Sequence, residues 1–202
     1  MKSKQTVFLL LNGDPPKKQP DITSFDFICT TDGGFNTLNK WKITPDLITG
    51  DFDSSSHHPK NIEVIYTPNQ EFTDFDKMLR ILYQRGYKNI AVFGASGKEQ
   101  DHFLGNLHTA LQWKTRLQLT FFDDYGRYFF AANTLLLSDV KDKTISLIPF
   151  PEAKNITTKG LQYPLNNEDL SFLHRIGTRN KAIKEEVAIT FKKGNLLVFV
   201  NH

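Results

Sequence analysis

The sequence predicts an α/β unit with a mostly parallel sheet, followed by a smaller all-β unit. Three observations carry that expectation. Short apolar runs alternate with helical stretches through about residue 122. After Asp123 the helical period disappears. Acidic residues recur just past the apolar runs, where open α/β sheets receive their ligands.

The apolar runs lie at 6–11, 25–30, 46–49, 62–67, 89–93 and 118–122 and read as strands. Between them, residues 74–85 carry Phe75, Met78, Leu79 and Leu82, one face of a helix. Phe103, Leu104, Leu107 and Leu111 mark a second helix over 101–115. Strand and helix in alternation imply βαβ units. Beyond residue 124, segments 127–132, 145–150, 185–191 and 196–201 read as strands, with turns at 139–144 and 192–195. The expected division is therefore 1–124 and 125–202. The second piece is small for an independent core, so it is expected to pack on the first or on another chain.

Composition excludes several classes. The 202 residues hold 25 basic and 22 acidic side chains, a net +3, too balanced for a nucleic-acid or membrane-surface protein. The single cysteine, Cys29, permits no intrachain disulfide and fits a reducing compartment. In the apolar run Phe27-Ile28-Cys29 it reads as a small buried hydrophobe. The apolar run from Val7 to Leu11 is too short for a signal core or a membrane span, so a cytoplasmic location is expected.

The acidic positions form a set. Asp32 follows "FICTT", Asp51 and Asp53 follow "DLITG", Asp74 comes after "VIYT", and Asp101 comes after "AVFG". In extended chain Asp51 and Asp53 point to one side, and each raises the other's pKa unless a cation intervenes. The chain has no Cys or His pair spaced for zinc, so a hard, oxygen-bound cation is implied. Magnesium, used with substrate phosphates, is the expected ion. Two glycine-rich turns, "DGGFN" (32–36, with Gly33 and Asn36) and "GASGKEQDH" (94–102, with Lys98), lead into helices whose first amides suit a phosphate. Neither is a P-loop.

Other residues have structural readings. Thr73 with Asp76, and Ser96 with Glu99, fit helix-capping pairs. His57 and His58 read as solvated, Trp113 as core and Lys192-Lys193 as a hairpin tip, while Trp41 has no assigned place.

In order, "TDGGFNTL", "PDLITGDFDS", "NQEFTDFDK" and "GASGKEQDH" resemble the signature segments of the thiamine pyrophosphokinase family. In the β-rich part, "KGLQYPL" (159–165) and "GTRN" (177–180) resemble its C-terminal motifs. The resemblance implies a Rossmann-like α/β domain that binds ATP and magnesium, then a β-sandwich that binds thiamine and dimerises. It implies transfer of the pyrophosphoryl group of ATP to thiamine, giving thiamine diphosphate and AMP, by a homodimer. On that resemblance Asp51, Asp53 and Asp74 would bind magnesium with Asp32 close by. Gln70 and Lys77 would face the nucleotide phosphates. Asp101 would match the aspartate of an Asp-His pair, and Thr178 and Asn180 a Ser/Thr-x-Asn that lines the thiamine pocket. Asp74 or Asp101 would take the alcohol proton. Two positions depart from the family: its usual arginine is here Glu99, next to Lys98, and Glu71 replaces a common aspartate. Three rival readings are a pterin-type diphosphokinase with the same magnesium site, a non-catalytic nucleotide or thiamine binder, and a magnesium phosphohydrolase with Asp51 as nucleophile.

Overall fold

A computed structural model describes residues 6–52 and 61–202. They fall into two compact units, Met1–Asp124 and Tyr125–His202. Asp53, His57 and His58 lie outside the described residues.

In the first unit, strands β1 (Thr6–Leu10), β2 (Phe27–Thr31), β3 (Leu47–Gly50), β4 (Glu63–Tyr66), β5 (Asn89–Phe93) and β6 (Gln118–Phe122) stand in the order β4-β3-β2-β1-β5-β6. Their pairings are all parallel. Val7, Phe8, Leu9 and Leu10 are wholly buried, as expected of a central strand covered on both faces. On one face Phe8 stacks on Phe93 at 4.6 Å, and Phe93 on Phe122 at 5.2 Å. Trp41 packs at the edge of this cluster. Cys29 is buried, and burial pushes its thiol pKa up.

Among the described residues three α-helices connect these strands. α1 (Asp32–Lys40) buries only Gly34 and Leu38, too few apolar positions for its extent to be read from the sequence. α2 (Asp74–Gln84) buries Phe75, Met78, Leu79 and Leu82, the predicted stripe. Thr73 caps it by accepting the Asp76 amide at 3.2 Å, and Gly86, at φ +88°, follows its last turn. α3 (Gln100–Trp113) faces the core with Leu107, Ala110 and Trp113. Leu104, predicted on that face, is exposed.

Two expected capping pairs are corrected. Asp76 does not reach back to its own helix start. Its buried carboxylate accepts the Trp113 indole N–H at 2.7 Å and the Arg80 Nε, tying α2 to α3. Nor does Ser96 begin α3: Gly97 and Lys98 are left-handed, so helical backbone cannot start before Glu99, whose side chain makes no capping bond.

The second unit is all-β: β7 (Gly126–Phe130), β8 (Thr134–Leu137), β9 (Thr144–Lys159), β10 (Asn166–Ser171), β11 (Gly177–Lys181), β12 (Val187–Thr190) and β13 (Lys193–Asn201). Strand pairing over the whole chain is therefore mixed, because every pairing within this unit is antiparallel. β9 is its spine. One edge pairs with β11 at 144–147 and with β10 at 152–157. Pro149 and Pro151 sit at that changeover, where little is asked of a backbone N–H, so β9 runs through them. Along the other edge β12 pairs at 157–159 and β13 at 144–154. Lys192-Lys193 is therefore not a hairpin tip, because β12 and β13 follow one another along β9 and do not pair with each other.

Candidate functional site

β1 lies between β2 and β5, so chain connectivity reverses direction there. A crevice is expected outside the carboxyl ends at such a point. A cavity of about 390 Å³ opens there, lined from the connections after β1, β2, β4 and β5.

The connections after β1 and β5 interlock. The Gly13 amide donates to the Gly94 carbonyl at 2.7 Å and the Asp14 amide to the Ser96 carbonyl at 2.8 Å. Gly97, at φ +80°, lies so close to Asp14 that a Cβ would fall 2.2 Å from its Oδ2. A side chain there would have to displace Asp14 and adopt a strained backbone. Lys98 then extends its ammonium to the carbonyl of Asn12 at 2.6 Å and to Asn12 Oδ1 at 3.0 Å.

Asp32 opens α1 and packs over Gly50, where a Cβ would lie 2.6 Å from the Asp32 Cβ. Its Oδ1 accepts the Gly33 amide at 2.6 Å. Burial raises the Asp32 pKa, and the charges of Asp74 and Asp51 raise it further against the effect of that bond. Asp51 follows β3 and accepts the Gln70 amide at 3.2 Å. Asp74, the first residue of α2, pairs with Lys77 at 2.7 Å. Among the described residues no three His, Cys, Asp or Glu side chains are gathered closely enough to hold a metal ion. Asp74 and Asp51 therefore act on Asp32 from a distance.

Asp32, Asp74, Lys98 and Asp101 line the cavity. Asp101 accepts the amide of its neighbour His102 at 2.8 Å, and His102 stands 3.7 Å from Glu99. Other expected residues lie elsewhere. Gly33 has its amide turned to Asp32, and Asn36 is exposed about 4.5 Å further along the helix axis. Gln70 is exposed beside Asp51, and Lys77 is buried. The sequence reading missed Asn12, Thr31, Thr73 and Asn106, which also line the cavity. Asn12 could have been found, because it follows the first strand just as Asp32 follows the second.

In the second unit Thr178 and Asn180 lie on β11, whose register slips between Gly177 and Asn180. Arg179 takes up the slip at φ +55° and donates its amide to Ser146 Oγ at 2.9 Å. Asn180 is clamped to the backbone of Tyr163, accepting its N–H at 3.1 Å and donating to its carbonyl at 2.6 Å. It thereby joins the "GLQYPL" and "GTRN" segments, leaving the Tyr163 ring exposed.

Comparison with known proteins bears on both units. Residues 21–121 match the thiamin pyrophosphokinase catalytic domain, and residues 133–196 match the thiamin pyrophosphokinase vitamin B1 binding domain. The chain is 28% identical to a thiamine pyrophosphokinase of Bacillus subtilis, over 94% of this chain and 95% of that protein. It is 25% identical to thiamin pyrophosphokinase 1 of Caenorhabditis elegans, over 96% and 88%. The crystal structure of a Bacillus subtilis thiamine pyrophosphokinase superposes with a TM-score of 0.84 at 25% identity, covering 98% of this chain and 99% of that one. With its α/β half and its β half each matching the corresponding domain of one family, this chain belongs to the thiamin pyrophosphokinases.

Proposed function

We propose that this protein transfers the pyrophosphoryl group of ATP to the hydroxyethyl arm of thiamine, releasing thiamine diphosphate and AMP. One observation carries the reading: a cavity at the switch point, edged by carboxylates, in a chain whose other half matches a vitamin B1 binding domain. That match also disfavours a pterin acceptor.

The first unit is read as a Rossmann-like nucleotide domain and the second as a β-sandwich for thiamine. Asp32, Asp51, Asp53 and Asp74 would hold magnesium. The chemistry of the donor set fits, though its described members are not gathered at metal-binding spacing: all its atoms are oxygens, and the ionised form of Asp32 is opposed by burial and by two neighbouring carboxylates. When bound, the ion supplies positive charge to the triphosphate oxygens.

The chain's own groups do the rest. The interlocked connections after β1 and β5 form the wall against which ATP lies, and Lys98 is the ammonium that lines it. The alcohol oxygen bonds to the β-phosphorus as the bond to the bridging α,β-oxygen breaks, and AMP leaves with that oxygen. The alcohol proton passes to a carboxylate. Asp101 is the better acceptor, because Asp74 is already paired with Lys77.

A homodimer and a cytoplasmic location belong to this reading. Among the described residues no helix is long and apolar enough to cross a membrane. Incubation of the pure protein with ATP, magnesium and thiamine tests the proposal. Thiamine diphosphate with AMP is the expected outcome, and ADP or free phosphate would overturn it.

A further inference from the structure

Lys77 resembles a family position facing nucleotide phosphates, yet its ammonium is spoken for. The residue is 8% exposed. Its Nζ donates to the carbonyl of Thr67 at 2.8 Å and of Asn69 at 3.2 Å, and stands 2.7 Å from Asp74 Oδ1. An ammonium has three N–H donors, and three acceptors take them. It can reach a phosphate only by abandoning one, which would leave a carbonyl or a carboxylate without its donor.

We propose that Lys77 is a positioning residue, a strut for Asp74 and for the connection between β4 and α2, and not a phosphate ligand. Two of its partners are backbone carbonyls of that connection, which also carries Gln70. Gln70 in turn donates to Asp51. One buried cation thus fixes the Asp74 carboxylate at the start of α2 and holds the segment that steadies Asp51. Lys98 differs. It is exposed, lines the cavity, and donates to two acceptors of one residue, Asn12. Between the two lysines, Lys98 has the donor to offer a phosphate.

The inference rests on the proposed ATP site, and its deciding readouts (lysine modification, hydrogen exchange and metal-free ATP affinity) do not use transfer to thiamine. Failure of that transfer would therefore refute the function without touching the strut. The first test is brief reductive methylation of the wild-type protein, read by mass spectrometry with and without ATP. Lys77 should stay unmodified in both cases, while Lys98 reacts and is protected by ATP. Free reaction of Lys77 with protection by ATP would overturn the proposal. The second test is Lys77→Met. Hydrogen exchange across 68–73 should rise, and affinity for ATP without divalent metal should stay within about threefold of wild type. With magnesium present, kcat for ATP turnover should fall while KM for ATP holds. Loss of a direct phosphate contact would instead weaken metal-free ATP binding by more than about tenfold, the worth of a charge-assisted hydrogen bond. That result, or unchanged exchange in the loop, would remove the strut. If Lys77→Met does not fold, the methylation of the wild type decides alone.

Discussion

The two units build their candidate sites by opposite means. In the first, the parallel strands all end on one side of the sheet, so residues far apart in sequence arrive together by topology: Asn12, Asp32, Asp74 and Asp101 all line one cavity. In the second, one sixteen-residue strand, β9, takes partners on both edges, and the notable residues sit where register slips. Asn180 is held by a backbone clamp to Tyr163 and not by the end of a strand. A topological site tolerates change in the helices behind it but not in its carboxylates. A register site depends on each bond that sets the slip.

The sharpest test of that contrast is Asp74→Asn. Losing a ligand-type carboxylate in the first unit should lower pyrophosphoryl transfer by about 10²–10³-fold while the melting temperature holds. A variant with wild-type turnover would remove Asp74 from the site.

Next is Asn180→Ala, where function and stability should fall together. The clamp leaves two Tyr163 backbone groups to find other partners, costing on the order of 1 kcal/mol. KM for thiamine should rise while affinity for an ATP analogue holds. A change confined to ATP would break the division of labour between the units.

Smaller still is Lys98→Ala, expected to lower kcat/KM for ATP about tenfold, roughly 1.4 kcal/mol. Glu99→Ala should change stability by less than about 0.5 kcal/mol, since Glu99 makes no capping bond. The reverse pattern, with Glu99 needed and Lys98 dispensable, would show that Lys98 is only a clip on Asn12.

The smallest effect concerns pH. Burial, Asp74 and Asp51 raise the Asp32 pKa above its unfolded value. Over the interval above the ordinary carboxylate value, the folded state therefore holds more protons than the unfolded chain, and metal-free stability falls as pH rises through the raised pKa. Asp32→Asn keeps an oxygen for the Gly33 amide and removes the charge. It should flatten that fall and raise the metal-free Tm at neutral pH by about 2 °C. Parallel melting curves for the two proteins from pH 4 to 7 would deny the repulsion.

Much of the first unit was legible because local pattern and tertiary role agree there. Phe75, Met78, Leu79 and Leu82 fall at helical spacing, and that same face is buried. β5 and β6 begin and end where their apolar runs do. Legibility failed where a side chain's partner comes from elsewhere in the chain. Asp76 has the spacing of a capping residue, but Trp113, 37 positions away, takes its carboxylate. Lys77 has the place of a phosphate ligand, but its three donors meet the carbonyls of Thr67 and Asn69 and the carboxylate of Asp74.

By itself the sequence determined the alternation of strand and helix, the change to β structure after Asp123, and the delivery of aspartates to the carboxyl ends of strands. These follow from side-chain periodicity and chain order, which are local properties. Only the tertiary structure decided that β9 runs through two prolines, that β10 and β11 are strands, and that Asn180 grips Tyr163. β10 and β11 bury almost nothing and have no apolar pattern to announce them. They become strands because the edge of β9 offers unpaired N–H and C=O groups, and a hydrogen-bonding partner leaves no mark in the sequence that answers it.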